Sequence, residues 1–129
     1  MKPIRATAAA SLCLSLLACT PPPPPKAPDP PPPPPVPVDG TYRGTSTRFQ
    51  ADGRHCPHPG VFMLGVWKGR FDYRWDYRTY VDSTIEPDGT IHGEAPGITL
   101  RGRRTGKRIE GDVTNGFCGL HFTAVRRGP

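Results

Sequence analysis

No stretch of this chain is long and apolar enough to cross a membrane as a helix. The longest apolar run, Ala6 to Ala18, has about thirteen residues against the roughly 20 that a span needs. Proline from Pro21 onward forbids extending it. Glycine is missing from the first 39 residues, although the chain holds 15, so tight turns are confined to residues 40–129. That region has no window with a helical apolar period, which argues against a helical bundle. Acidic residues are also short, 11 against 17 Lys and Arg, and the formal net charge is +6.

The N-terminal region contains an ordered series of export signals. Met1 to Arg5 carries two positive charges, and the short apolar run comes directly after it. That is the pattern of a cleaved secretory signal. The residues Leu16-Leu17-Ala18-Cys19 resemble the bacterial lipobox. The resemblance implies that Cys19 receives a diacylglyceryl group, that a peptidase cuts before it, and that Cys19 anchors the mature protein in a membrane. Cys13 comes after Leu12, too large for that pattern, and is expected to leave with the signal. Thr20 stands where inner-membrane retention typically has Asp, so the expected location is the outer membrane, facing the periplasm.

From Pro21 to Pro37, thirteen of seventeen residues are proline. Such a segment adopts extended polyproline II and buries no core. At about 3.1 Å per residue it holds the next domain roughly 50 Å from the lipid. The expected organisation is therefore a signal peptide over 1–18, a lipidated cysteine with its linker over 19–38, and one small domain over 39–129.

The domain reads as all-β. Lys68-Gly69, Thr105-Gly106 and Asn115-Gly116 are placed as two-residue hairpin turns between strand-like runs. Pro87-Asp88-Gly89 reads as a type I turn with a glycine bulge, and Ala95-Pro96-Gly97 as a further break. Alternation is clearest over residues 70–77, where Phe71, Tyr73, Trp75 and Tyr77 share one face. Together these signals predict an antiparallel up-and-down meander of eight strands, near 41–49, 60–67, 70–77, 80–86, 90–95, 98–104, 107–114 and 117–126. The count falls to seven if residues 70–86 form one bent strand, since Asp76 to Thr79 has neither glycine nor proline.

The turns also predict registers. They set Val113 against Cys118, Gly111 against Leu120, Ile109 against Phe122, Gly102 against Ile109, and Phe62, Leu64 and Val66 against Trp75, Tyr73 and Phe71. In a meander, the loop after strand one and the start of strand eight lie at the same end. Pairing of those two strands would close a barrel and bring Cys56 to Cys118 as a disulfide, in a compartment that permits one. Rows of alternating large and small inward residues suit an interior filled by side chains, so no large lipid-carrying cavity is expected. Tyr73, Trp75 and Tyr77 read first as core, and alternatively as the lining of a shallow mouth pocket.

Chemistry-bearing residues are sparse. His55-Cys56-Pro57-His58 supplies three potential ligands in four residues, but structural zinc needs four and Cys118 is assigned to the bridge. No metal and no cofactor are expected. His121 is placed beside Glu110 and Arg101 on the outer face, with no nucleophile in register, so no catalytic activity is expected. The stretch Arg101 to Arg108 is the stronger candidate. Arg103, Arg104, Lys107 and Arg108 meet at one hairpin tip, with Arg103 facing Arg108 and Arg104 facing Lys107. Like charges in such pairs cost stability, which suggests an anion-binding surface for phosphates or other acidic envelope groups. Nucleic acid is not available in that compartment. Met63, Trp67 and Val61 form an outward apolar strip, suited to a protein partner or to cover by the proline segment.

The stretches DGTYRGT, GRFDYRW, EPDGTIHG and RIEGDVTNGFCGLHFTAVRR are similar to a group of small exported proteins of alphaproteobacteria. The resemblance implies shared glycine turns and a shared cysteine pair, and no activity. In architecture the domain resembles small antiparallel barrels such as avidin-like proteins and bacterial lipoprotein inhibitors of proteases or lysozymes. The resulting expectation is a lipid-anchored, non-catalytic envelope protein with a binding domain on a polyproline stalk. The alternatives are an inhibitor using the 50–60 loop, and a calycin-like barrel carrying a small ligand.

Overall fold

The computed structural model describes residues 18–128. Most of the signal-peptide expectation, with Cys13, lies outside the described residues. The chain divides into two units, Met1–Pro32 and Pro33–Pro129. In the first, residues 18–32 are exposed and form neither helix nor strand. Among the described residues no helix is long and apolar enough to cross a membrane.

The second unit is an eight-stranded antiparallel meander: β1 (Gly40–Ala51), β2 (Val61–Val66), β3 (Arg70–Arg74), β4 (Tyr80–Ile85), β5 (Thr90–Ala95), β6 (Ile98–Thr105), β7 (Arg108–Thr114) and β8 (Cys118–Arg126). The expected strand sequence is present, and eight is the count. Asp76 supplies the turn that glycine and proline do not, since its Oδ1 accepts the backbone N–H of Arg78 at 2.8 Å and of Thr79 at 2.7 Å. At Lys68-Gly69 both central residues have positive φ, 52° and 71°, as a type I′ hairpin requires.

The sheet runs β2-β1-β8-β7-β6-β5-β4-β3. Pairing of β1 with β8 therefore bends the meander nearly into a barrel, and β2 and β3 remain as its two edges. Among the described residues these edges share one bridge, Trp67 with Arg70. The expected full pairing of β2 with β3 stops there. Further up, side chains pack the seam instead: the Phe62 and Tyr73 rings meet edge to face at 5.5 Å, and Tyr73 lies 5.1 Å from Phe122 behind them.

Two expected registers are off by two residues. In β6–β7 the loop is Gly106-Lys107, so Gly102 faces Gly111 and Leu100 faces Val113. In β7–β8 the loop spans four residues, Asn115 to Cys118. Asn115 Oδ1 accepts the N–H groups of Phe117 and Cys118, and Val113 then faces Leu120, Gly111 faces Phe122 and Ile109 faces Ala124. A side-chain cap decides the longer loop. Each residue keeps its face under a shift of two, so the expected inward residues Leu100, Ile109, Val113 and Phe122 are fully buried, and Tyr42 and Val81 join them.

Gly111 leaves room for the Phe122 ring, because a Cβ there would lie 3.0 Å from it, and Gly102 opposite lets the two backbones approach. Cys56 and Cys118 form a disulfide, which ties the β1–β2 loop to the start of β8.

Candidate ligand-binding cleft

Strand direction gives the barrel two distinct ends. The start of β1, the 68–69 turn, the 106–107 loop and the end of β8 share one end. The 52–60 loop, the 75–79 turn, the 115–118 loop and the disulfide share the other.

The chain enters at the first end and is tied there. Arg104 Nη2 donates to the Val36 carbonyl at 2.6 Å, and Tyr42 Oη donates to the Val38 carbonyl at 2.7 Å. Asp39 caps the 68–69 turn by accepting the N–H groups of Lys68 and Gly69, at 2.9 and 3.0 Å. Those two backbone donors hold its carboxyl below the ordinary aspartate range.

Arg103, Arg104, Lys107 and Arg108 lie at this end but do not converge. Arg104 shares the inward parity of Leu100 and Gly102, and is half-buried over the core with its Nε unpaired among the described residues. Arg103 faces Glu110 rather than Arg108, and Arg108 bonds Glu110 at 3.1 Å. The like-charge cost expected from the sequence is absent, because the loop sits one position later. Arg103, Lys107 and Arg108 remain exposed.

His121 pairs with Asp112 at 2.7 Å, not with Glu110, for the same reason of register. Arg101 flanks Asp112 on β6. All three are exposed on the outer face, a charged ladder.

The second end opens into a cleft of about 1110 Å³. It lies at the mouth, and the barrel interior beneath it is filled by side chains. The cleft is half open to solvent, and its lining mixes polar and apolar side chains. It is bounded by β2 and β3, which do not pair beyond their bridge, and by the 52–60 loop, which is tied to the sheet through the disulfide and Ser46.

The floor of the cleft is apolar, built from Tyr73, Trp75, Phe62 and Leu120. Tyr73 and Trp75 are buried as expected for core, but Tyr77 is 71% exposed at the rim. Burial pushes the Tyr73 phenol above its ordinary pKa, and a hydrogen bond with the Ser46 hydroxyl partly opposes this. Ser46 also fixes the loop, since its N–H donates to the Gly60 carbonyl at 2.9 Å and its Oγ accepts the Gly60 N–H at 3.2 Å.

Arg48 is the residue that sequence reasoning missed. Tyr42, Gly44, Ser46 and Arg48 share the inward parity of β1, and Arg48 lies opposite buried Leu120. A bulge comes next, at Phe49. Arg48 Nη2 donates to the Pro57 carbonyl at 2.8 Å, which holds the guanidinium at the cleft. The parity was legible, but a charged residue in an exposed run reads as solvated.

His55 and His58 also line the cleft, on the stapled loop. Among the described residues, no three His, Cys, Asp or Glu side chains come together as metal ligands would. Compared with known proteins, the chain matches no family model, no curated protein and no solved structure.

Proposed function

We propose that this chain is a lipid-anchored, non-catalytic protein of the bacterial cell envelope, holding a β-barrel binding domain on a polyproline stalk. Cys19 carries the lipid, and the outer membrane, periplasmic side, is the site of attachment. The observation that carries the binding role is the polarity of the barrel. The tether joins one end, and the aromatic cleft opens at the other, clear of the point of attachment. The tethered end also holds Lys68, Arg103, Lys107, Arg108 and Arg127, a cationic surface suited to phosphate-bearing envelope lipids.

The test is envelope fractionation with palmitate labelling of wild type and Cys19→Ala. Label and membrane retention in wild type, both lost in the variant, are the expected result. Retention of the variant in the membrane would overturn the anchor. Cross-linked pull-down from intact envelopes then separates binding sites. Recovery lost on replacing Arg103, Lys107 and Arg108 assigns the partner to the tethered end.

A second reading, inhibition of an exogenous hydrolase, is favoured by the 52–60 loop, which is exposed at Arg54, His55 and His58 yet pinned by a disulfide. Pre-organised loops of this kind lose little entropy on docking. Loss of partner recovery on editing only residues 52–60 would favour it.

A further inference from the structure

The cleft is chemically lopsided. Its charged lining consists of Arg48, Arg54 and Arg74 with a single carboxylate, Asp76, besides His55 and His58. Asp76 is already occupied by the backbone N–H groups of its own turn. Arg48 makes no ion pair among the described residues, and its hydrogen bond to Pro57 is to a neutral carbonyl. A guanidinium has five donors. One bond to Pro57 therefore leaves most of that fork without a protein partner among the described residues, and Arg48, an exposed residue, shares the cleft lining with Ser46 and Tyr73.

Beneath this cation the floor is aromatic and aliphatic. Val61 and Met63, both 66% exposed, also line the cleft. A ligand that satisfies both features carries one anionic head for Arg48 and an apolar body for the apolar lining. An added peptide strand fits less well. The contact between Phe62 and Tyr73 occupies the seam where such a strand would pair, and its backbone would set unpartnered polar groups on an apolar floor.

We propose that the cleft binds an anionic amphiphile, with Arg48 reading the head group and the accessible apolar lining, Phe62, Val61, Met63 and Tyr77, receiving the tail. The proposal rests on the cleft being the binding site of the envelope protein described under Proposed function, and it adds the ligand class and the residue that selects it. The head is a carboxylate or a phosphate monoester. Both accept the bidentate geometry of a guanidinium, and a free acid and a lipid-derived phosphate are its two sources.

The experiment is a fluorescence titration of the full mature chain, following its tryptophans, one of which is Trp75 in the cleft. The probes are dodecanoate and dodecyl phosphate, with dodecanol as the neutral control, all below their aggregation limits. The variants are Arg48→Gln, which keeps an N–H donor for the Pro57 carbonyl while removing the charge, and Arg48→Lys, which keeps the charge. Thermal melts confirm that each is folded.

Both anionic probes, or one of them, are expected to bind saturably and more weakly as salt rises. Arg48→Gln is expected to weaken that binding at least roughly tenfold, as loss of a charged hydrogen bond does. Arg48→Lys should recover part of it, and dodecanol should be indifferent to both changes. Preference between the two anions names the source. Equal binding of dodecanol and dodecanoate, unchanged in folded Arg48→Gln, would overturn the proposal while leaving the cleft a binding site. Binding by none of the three would overturn the proposal and the cleft together.

Discussion

The disulfide is the feature whose removal is easiest to calculate. Cys56 and Cys118 are 62 residues apart. Closing a loop of that size in the unfolded chain removes entropy worth roughly 4 kcal/mol at 25 °C in the chain-entropy account. For a domain of about ninety residues each kcal/mol moves the melting temperature by roughly 4–8 °C. The Cys56→Ala/Cys118→Ala variant should therefore melt roughly 15–30 °C below wild type.

Part of any loss would come from packing, since Cys118 is buried among core residues, and the denaturant slope separates the two causes. A cross-link acting on the unfolded state makes that state more compact, so its removal should raise the urea m-value together with the fall in stability. Lost packing would lower stability at constant m. The assay is paired thermal and urea unfolding of the two proteins. A drop of less than about 5 °C would refute the reasoning. It would mean that the Ser46–Gly60 and Arg48–Pro57 bonds hold the 52–60 loop without the covalent tie.

Other consequences are open to the same instruments. Gly111→Ala sets a methyl against the Phe122 ring and the Arg101 carbonyl, and should cost about 1–3 kcal/mol in urea unfolding, whereas Gly65→Ala, with open space around it, should be near neutral. Lys68 occupies a left-handed position, φ 52°, so Lys68→Asn should stabilise by about 0.5–1 kcal/mol and raise the melting temperature by a few degrees. Asp39, Asp76 and Asp88 all have carboxyls held below their ordinary pKa by backbone N–H donors. Their contribution is therefore complete above the unfolded aspartate pKa of about 3.9 and is lost as pH falls through the lower folded values. A series of melts from pH 6 to 2 should show a steep acid limb that becomes shallower in Asp39→Ala; an unchanged limb would remove Asp39 from the account.

The opening of the barrel at one seam links stability to binding. β2 and β3 could have zipped upward from the Trp67–Arg70 bridge, but the space between them is taken by Phe62 and Tyr73. Backbone groups along those two edges thus forgo pairing with each other, and the cleft exists as a result. The disulfide and the paired bonds of Ser46 to Gly60 hold the remaining wall, so the cleft is framed by the parts of the fold most strongly tied together.

Strand positions, the inward face and the meander order were determined by the sequence alone. Alternation in residues 70–77, glycine and proline at the turns, and the placement of Cys56 and Cys118 at one end are local or topological facts, and each constrains the chain wherever it folds. The registers of β6–β7 and β7–β8 were decided by the tertiary structure. A shift of two residues returns every side chain to its own face, so an alternating pattern is blind to it, and the caps and cross-strand fits select between the two. The same limit hid the cleft. Tyr73, Phe62 and Arg48 each lie on the inward face by parity, but only packing in three dimensions sets two rings together in the seam and ties the Arg48 guanidinium to Pro57 at the same cleft.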